Sequence, residues 1–302
     1  MDTKYFFKTD IDKILSAFGK TNEDVKRDIE TIKTWLASQR HLPEIPDEIM
    51  IRHFLVNNHF SIERTKQTLD MYYSVRTIIP EVFQNTNPTS LNMKDVYDSV
   101  AFSPLPNLTP KLQRIICARY NPIPEKFNSD KGVAIMAQIY EVRLWEDLSL
   151  GDIFILDYKH LKMGHLAKVT PKMLREIAFI FEEVWSKRIQ EFHVINAPSI
   201  AEPIVSLFKK CFYKGLKERI YLHKSLEELH LHVPQDMLPV EYGGKERSLD
   251  TLYELWKEKL QQYKSRFDLL DRMFVNEELR TSPYKNCDVL GYYGNYMQLD
   301  VN

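Results

Sequence analysis

Cysteine and glycine are scarce in this chain, and long apolar runs are lacking. The three cysteines (Cys117, Cys211 and Cys287) are far apart and form no CxxC pair, which argues against a disulfide framework or a zinc ribbon. The longest apolar runs, such as residues 177–181, are much shorter than the ~20 residues of a membrane-spanning helix. The first residues also lack the apolar stretch of a signal peptide. We therefore expect a cytoplasmic protein with reduced thiols.

An excess of one charge sign is also lacking. The chain has 41 basic and 42 acidic residues in 302, a net charge of -1, which argues against a generally nucleic-acid-binding surface. Hydrophobic residues make up 44% of the chain and aromatic residues 12%, enough to build a core and to line a cavity. We expect a folded monomer that binds no nucleic acid.

The first third of the sequence predicts helices. One begins after a capping residue at Thr21, a second covers residues 47–57, and a third begins after Ser61 and ends before Pro80. Residues 85–110 contain four prolines and predict a connection with one short helical piece.

The rest of the chain alternates between strand and helix patterns, which predicts crossover connections and a mainly parallel sheet. The predicted strands are 114–119, 152–158, 192–196 and 218–223. Helices are predicted at 132–148, from 170, at 199–213 and from 248. The predicted organisation is a helical N-terminal domain at 1–84, the connection at 85–110, an α/β domain at 111–246, and a C-terminal helix and tail at 247–302.

Enzyme and metal signatures are weak. Residues 17–21 (AFGKT) resemble the end of a phosphate-binding loop, but no strand precedes them, and the chain has no GxGxxG or GxSxG segment. Asp157 follows a buried strand, where α/β enzymes often place a catalytic group, but capping of the next loop is favoured because no partner base is evident. His223, His230 and His232 lack a further well-spaced ligand, so solvated or capping histidines are favoured over a metal site. We expect a protein that is not an enzyme.

The order and spacing of several segments resemble the CRAL-TRIO family of lipid-binding proteins, in particular the branch of the tocopherol and retinaldehyde carriers. Residues 51–76 resemble the helical N-terminal part of that family, and the tail at 291–302 is similar to that of insect members. The more specific segments are GDIFILDYKHL (151–161), FHVINAP (192–198), GLKERIYLHKSLEEL (215–229) and MLPVEYGG (237–244).

The resemblance implies a mixed, mostly parallel sheet of about five strands that forms the floor of an apolar cavity under a helical lid. It implies a carrier of one small hydrophobic ligand (a retinoid, tocopherol, carotenoid or similar lipid) that is exchanged at membranes. It implies no cofactor and no metal ion. The alternative is a regulatory or adaptor module that reads phosphoinositides and moves no cargo.

The helix at 199–213 is the segment that matches the lid. Its apolar stripe consists of Ile200, Ile204, Leu207, Phe208, Cys211 and Phe212. From periodicity alone, the favoured interpretation is an ordinary surface helix docked on a sheet. With the resemblance, an apolar face and a basic end suit a helix that lies transiently on an anionic membrane.

The resemblance also implies ligand-binding residues: Val133, Met136, Tyr140, Ile177, Ile180, Phe181, Phe192, Ala201, Ile204 and Phe208. Core packing is the alternative for each of them. Met136 and Tyr140 stand where the tocopherol carrier has small hydroxyl residues, and Lys187 stands where it has an apolar wall residue. The predicted pocket therefore differs from that carrier's pocket, and Tyr140 offers one hydroxyl to a ligand head.

A basic cluster beside the lid reads phosphoinositides in the tocopherol branch. Arg188 and Arg219 match two of its positions, whereas Asn58, Gln190 and Gly215 replace three others. The predicted anionic-lipid site consists of Arg188, Arg219, Lys209, Lys210, Lys214 and Lys217. The alternative for Arg219 is a surface ion pair with Glu218 or Glu241.

Overall fold

The computed structural model describes residues 7–93, 96–186, 188–211 and 214–281. Its first part is helical, and the helices are α1 (Ile11–Ser16), α2 (Asn22–Ser38), α3 (Glu48–Asn57), α4 (Ile62–Ile78) and α5 (Pro80–Phe83). Thr21 starts α2 with a reciprocal cap, since its hydroxyl accepts from the backbone N–H of Asp24 and its own N–H donates to the Asp24 carboxylate. Ser61 is likewise the N-cap residue of α4, and its hydroxyl accepts from the backbone N–H of Arg64. The three helices predicted from these signals are present.

A sheet of five strands follows, and its order in space is the order along the chain. The strands are β1 (Val100–Leu108), β2 (Arg114–Tyr120), β3 (Asp152–Asp157), β4 (Ile189–Ile195) and β5 (Ile220–Leu222). β1 runs antiparallel to β2, and the other neighbouring strands are parallel. The sheet is therefore mixed and mostly parallel, which confirms the predicted α/β fold class.

The strand β1 lies inside the segment for which the sequence predicted only a connection. Pro104 and Pro106 suggested irregular chain there, but proline is compatible with an edge strand because one side of that strand has no ladder partner. The pairing with β2 shifts between Pro104 and Leu108. The carbonyl oxygens released by this shift are satisfied, since the Arg114 guanidinium donates to Leu105 O and Pro106 O at 2.9 and 2.7 Å.

The remaining helices connect and flank the strands. They are α6 (Ser129–Glu146), α7 (Met163–Leu166), α8 (Pro171–Phe179), α9 (Glu202–Cys211), α10 (Lys214–Lys217), α11 (Leu226–His230), α12 (Leu249–Gln262) and α13 (Lys264–Leu270). One π-helical turn, Ile180–Val184, continues α8. The last long helix, α12, packs against β1, where the indole N–H of Trp256 donates to Pro104 O at 3.2 Å. In the described ranges no helix is long and apolar enough to cross a membrane.

Two arginines and two aspartates form a buried network where β2 and β3 begin. Arg143 donates to both carboxylate oxygens of Asp152 at 2.8 Å, and Arg114 and Arg143 both donate to Asp147. All four side chains are fully buried, so each charge depends on its partners. This network fixes α6 to the start of the sheet.

A second polar cluster, the Glu141 latch, joins the N-terminal helices to the sheet and to α13. The Glu141 carboxylate accepts from Tyr72 Oη at 2.7 Å and from Arg266 Nε at 2.8 Å. Arg266 also pairs with Glu44 at 2.9 Å, and Arg76 lies 3.9 Å from Glu141. The helical part and the sheet are thus connected through residues from α4, α6 and α13.

Asp157, which ends β3, has a capping role. Its carboxylate accepts from Lys159 N, from the Asn196 amide and from Tyr242 Oη at 3.0, 2.9 and 2.9 Å. Tyr242 belongs to the MLPVEYGG segment, which is held tightly: a Cβ at Gly244 would lie 1.8 Å from Leu238 O. The three hydrogen bonds agree with the capping interpretation of Asp157.

Candidate functional site

A cavity of about 130 Å³ lies between one face of the sheet and the helices α6, α8 and α9. Its lining is almost entirely apolar and aromatic, with Phe102, Tyr120, Phe154 and Phe192 contributed by four strands. These residues share a face because side chains alternate along a strand and Phe154 is the register partner of Phe192. The side opposite the strands is formed by helical residues such as Met136 and Ile177.

Aromatic rings pack closely around this cavity. Phe154 and Phe192 are stacked with ring centroids 4.9 Å apart, and Phe181 meets Phe154 edge-on at 5.3 Å. Phe208, from α9, stands edge-on to Phe192 at 4.8 Å. Side-chain rings therefore occupy much of the space between the sheet and the helices.

The helix α9 covers the cavity with the face that the sequence identified as its apolar stripe. Ile204 and Val205 are buried, and Leu207 and Phe208 are half-buried. Ser206 and Lys210, on other sides of the helix, are exposed. Val205 was not part of the predicted stripe, whereas Phe212 lies outside the described residues and the side chain of Cys211 is not described.

Seven of the ten predicted ligand-binding residues line the cavity: Val133, Met136, Ile177, Phe181, Phe192, Ile204 and Phe208. The other three, Tyr140, Ile180 and Ala201, are buried elsewhere in the core, each with no more than 1% of its surface exposed. Whether any of the ten binds a ligand stays a prediction.

The Tyr140 hydroxyl, which was expected to contact a ligand head, has a hydrogen-bond partner within the protein. That hydroxyl donates to the buried Asp152 carboxylate, within the network of Arg143. Its ring is stacked on Trp185 at 4.1 Å with an interplanar angle of 9°. The side chain is therefore held on the side of α6 that faces this network, and its hydroxyl does not face the cavity.

The polar groups of the cavity lining come from the ends of β2 and β3. Tyr120 and Tyr158 lie side by side with ring centroids 5.9 Å apart. Burial raises the pKa of Tyr120 to about 12 and also raises that of Tyr158, so both phenols are neutral at pH 7. Arg119 also borders the cavity, and its guanidinium pairs with Asp250. The two phenols can orient the polar end of a ligand, whereas the Arg119 side chain alternates to the other face of the sheet.

Sequence reasoning missed the lining residues Phe102, Tyr120, Phe127, Phe154, Tyr158 and Met173. The alternation in DIFILDY contains a signal for Phe154, because Phe154 and Leu156 must share a face. Phe102 was hidden in the proline-rich segment that was interpreted as a connection. Tyr120 ends β2 and Tyr158 follows β3. Which face of these strands borders the cavity cannot be assigned without the pairing register of the sheet.

The predicted anionic-lipid residues lie along one edge. Arg188 and Arg219 immediately precede the parallel strands β4 and β5, and Arg219 is opposite Glu191 in the register, roughly 10 Å along the sheet from Arg188. Arg188 is exposed and Arg219 is half-exposed. Burial lowers the pKa of His59 below its ordinary 6.5, and the positive charge of the nearby Arg188 lowers it further.

The structure describes the side chains of three of the four lysines at the predicted lid. Lys210 and Lys217 are exposed and Lys209 is half-exposed, whereas the side chain of Lys214 and all of Lys187 are outside the described part. Asn58, one of the replaced basic positions, is buried, and its amide donates to Phe54 O at 2.9 Å. Glu241, a suggested partner of Arg219, accepts from Leu249 N.

The histidines differ from the expectation at one position. His230 Nε2 lies 2.8 Å from Tyr242 O, which is a capping contact, and His232 is exposed. His223, however, is buried at 7% exposure and hydrogen-bonds to His193 on the sheet face opposite the cavity. It is neither solvated nor a cap, because β5 places it beside β4.

The sequence matches two described families. Residues 105–244 match the CRAL/TRIO domain, and residues 21–93 match the Pinta-like UBA domain. Human alpha-tocopherol transfer protein-like is 30% identical over 230 residues, which cover 74% of this chain and 67% of that protein. Clavesin-1 of Xenopus laevis is 21% identical over 239 residues, covering 78% and 72% of the two chains.

Among solved structures, that of Sfh5 has a TM-score of 0.49 and 13% sequence identity, covering 86% of this chain and 100% of that one. The CRAL/TRIO match begins within β1 and ends at the glycines that follow Tyr242, so it contains β2 to β5, most of the cavity lining and α9. With this match, and with a relative 30% identical over two thirds of its own length, the chain belongs to the CRAL/TRIO domain family.

Proposed function

We propose that this protein binds one small hydrophobic ligand in the cavity beneath α9 and transfers it between membranes. The observation that carries the proposal is the apolar, aromatic lining of a cavity covered by one amphipathic helix. The ligand class is a retinoid, tocopherol, carotenoid or similar lipid. Two relatives are named alpha-tocopherol transfer protein-like, and this name agrees with the proposed ligand class.

Burial of apolar area supplies the affinity. Each methylene removed from water contributes about 0.8 kcal/mol, so a dozen carbons contribute roughly 10 kcal/mol. This is comparable to the cost of immobilising a ligand, which is about 4–15 kcal/mol. A few polar contacts then decide between ligands, and Tyr120 and Tyr158 are the polar side chains available at the lining.

The cavity must expand when it is loaded. Its volume of about 130 Å³ is smaller than the ~300–1,000 Å³ of pockets for drug-sized molecules. Phe208 is only half-buried and contacts the sheet through Phe192, so an outward movement of α9 removes its ring from the cavity. We therefore propose α9 as the mobile lid.

The membrane is the place where α9 moves. The exposed cations Lys210, Lys217 and Arg188 lie on or near this helix and the adjoining sheet edge, and anionic headgroups attract each such cation by about 1 kcal/mol. An apolar face that leaves the cavity finds an equivalent environment in the acyl region. Lid opening and membrane binding thus favour each other.

The small cavity also favours a second candidate function, that of a phosphoinositide-reading adaptor that moves no cargo. If the aromatic rings fill the interior permanently, only the cationic edge interacts with membranes. The two functions differ in whether a lipid occupies the interior.

Native mass spectrometry and analysis of an organic extract of the full chain, purified from eukaryotic cells, distinguish these functions. We expect one small lipophilic molecule per chain, which fluorescent lipophilic probes displace in a saturable manner. A control with Phe154→Trp, which adds bulk at the floor, should reduce the occupancy. An empty extract, together with no saturable probe binding by the wild type, would contradict the carrier function and leave the adaptor.

A further inference from the structure

A cluster of imidazole and carboxylate groups lies on the face of the sheet opposite the cavity. His193 is on β4, and its register partners on the neighbouring strands are Ile155 and Tyr221. His232 follows α11 and reaches back over Tyr221, with ring centroids 4.4 Å apart. Glu191, two residues before His193, points to the same face because side chains alternate.

Three of these groups converge on one point. One ligand atom each from Glu191, His193 and His232 lies within 4.8 Å of the other two. Glu191 Oε2 and His193 Nε2 are 3.0 Å apart and share one proton. In a tetrahedral zinc site with bonds of about 2.0–2.1 Å, the ligand atoms are about 3.4 Å apart. Glu191 and His193 are thus slightly closer than in such a site, and His232 is exposed.

His223 supplies the orientation that a ligand histidine needs. Its Nε2 lies 2.9 Å from His193 Nδ1, on the side of the ring away from Glu191. A partner on the second ring nitrogen fixes the tautomer and the plane of a metal-bound histidine. Because His193 is fully buried and His223 nearly so, this orientation is built into the sheet rather than adopted by chance.

We propose that Glu191, His193 and His232 bind one divalent transition-metal ion, with His223 as the positioning residue. Two imidazoles and one carboxylate select Zn²⁺, Cu²⁺ or Ni²⁺ over Mg²⁺ and Ca²⁺, which prefer oxygen ligands. The neutral imidazole of His193 binds the ion through Nε2 and carries its single N–H proton on Nδ1, which donates to His223 Nε2. A water molecule completes the coordination, since His232 faces the solvent.

The test is isothermal titration of the tag-free, metal-stripped full chain with Zn²⁺. We expect saturable binding of one ion per chain. His232→Ala and Glu191→Gln should each weaken binding at least about tenfold, and His223→Ala should weaken it about 10–100-fold while one site remains. The matched control is His160→Ala, whose charged neighbours are Arg119, Asp157, Lys159 and Lys162.

His232→Ala carries the test even if the other variants fold poorly, because His232 is exposed and its loss leaves the sheet intact. Absence of Zn²⁺ binding in the wild type would overturn the proposal. So would equal binding by the wild type and His232→Ala, or equal loss in His232→Ala and His160→Ala. The cavity lies on the other face of the sheet, so lipid occupancy in these variants is expected to be unchanged, and failure here leaves the carrier function untouched.

Discussion

The Phe208 side chain joins α9 to the floor of the cavity. It lines the cavity and meets Phe192 edge-on at 4.8 Å, although its own surface is only half-buried. A residue in this position contributes to the closed state and little to the core of the domain.

Phe208→Asp tests this contact. A carboxylate against the apolar lining costs at least about 1–3 kcal/mol unless the helix lifts, so the closed state is destabilised. We expect ligand dissociation to be on the order of ten- to a hundredfold faster, measured by stopped-flow transfer of a fluorescent lipid to acceptor vesicles.

Ser206→Asp is the matched control, because it adds the same charge to an exposed position of the same helix. The far-UV circular dichroism of both variants should equal that of the wild type. If Phe208→Asp and Ser206→Asp release ligand at the same rate, α9 is not the gate.

Tyr140→Phe separates the structural role of this residue from the ligand-binding role suggested by its position in the sequence. It removes the hydroxyl that donates to Asp152 and leaves the stacking on Trp185. We expect a loss of about 1–3 kcal/mol in the free energy of unfolding in urea and an unchanged ligand affinity. A weaker ligand affinity with unchanged stability would show instead that the Tyr140 hydroxyl contacts the ligand.

At the scale of elements, the parallel strands β4 and β5 determine where the cations are. Each strand is preceded by an arginine, and parallel strands begin at the same edge of the sheet. Arg188 and Arg219 therefore face the same side of the molecule as the end of α9. The planar guanidinium binds phosphate bidentately, which suits both arginines to anionic headgroups.

The variant Arg188→Ala/Arg219→Ala should bind anionic vesicles more weakly than the wild type, by about thirtyfold if each cation contributes about 1 kcal/mol. Binding should fall as salt rises, because exposed charges are screened over about 8–10 Å. With Asn58 buried and Gln190 uncharged, we expect little selectivity among phosphoinositides. Vesicle co-sedimentation at low and high salt measures all three effects.

Arg27→Ala/Arg64→Ala is the control for that experiment, since it removes the same charge from exposed positions of α2 and α4. Equal weakening by the two double variants would assign the effect to net charge. Strong selectivity for one phosphoinositide would show that the replaced positions are dispensable.

Elements with local signals were predictable from the sequence. Thr21, Ser61 and the Thr170–Pro171 pair mark helix starts that the structure contains, and DIFILD is a strand buried on both faces. β1 was not predictable, because its prolines are tolerated only by its place at the sheet edge and by the buried Arg114.

For the functional surfaces too, features with a local sequence signal were predictable and features that depend on distant partners were not. The stripe of α9 is local and was found, whereas the pairing of His193 with His223 spans 30 residues and depends on the register of β4 and β5. The cavity residues were inferred from the family resemblance. The structure gives Tyr140 the partners Asp152 and Trp185, which no local sequence pattern reveals.

At the scale of the whole molecule, the Glu141 latch makes the helical part and the sheet one folding unit. Burial alone would raise the pKa of Glu141, but Arg266 and Arg76 outweigh this effect and hold the pKa below the ordinary 4.5. Since the folded pKa is the lower one, the contribution of Glu141 to stability is present above pH 4.5 and is lost as the pH falls through the folded value.

Arg266→Met should lower the free energy of unfolding by about 3–5 kcal/mol at pH 7, because it leaves a buried carboxylate without its main cation. The double variant Arg266→Met/Glu141→Gln should recover part of this loss and show a flatter stability profile between pH 5 and 3. Urea denaturation across this pH range measures both. If the double variant is no more stable than Arg266→Met, Glu141 is not the group that depends on Arg266.

The Glu141 latch also has a consequence for folding during synthesis on the ribosome. Glu141 and Arg266 are 125 residues apart, and at about 5–20 residues per second the second is made roughly 6–25 s after the first. Throughout that interval the nascent chain carries an acidic side chain destined for the interior whose main guanidinium partner, Arg266, has not yet been translated. We therefore expect docking of the N-terminal helices on the sheet to be completed only after α13 has left the exit tunnel.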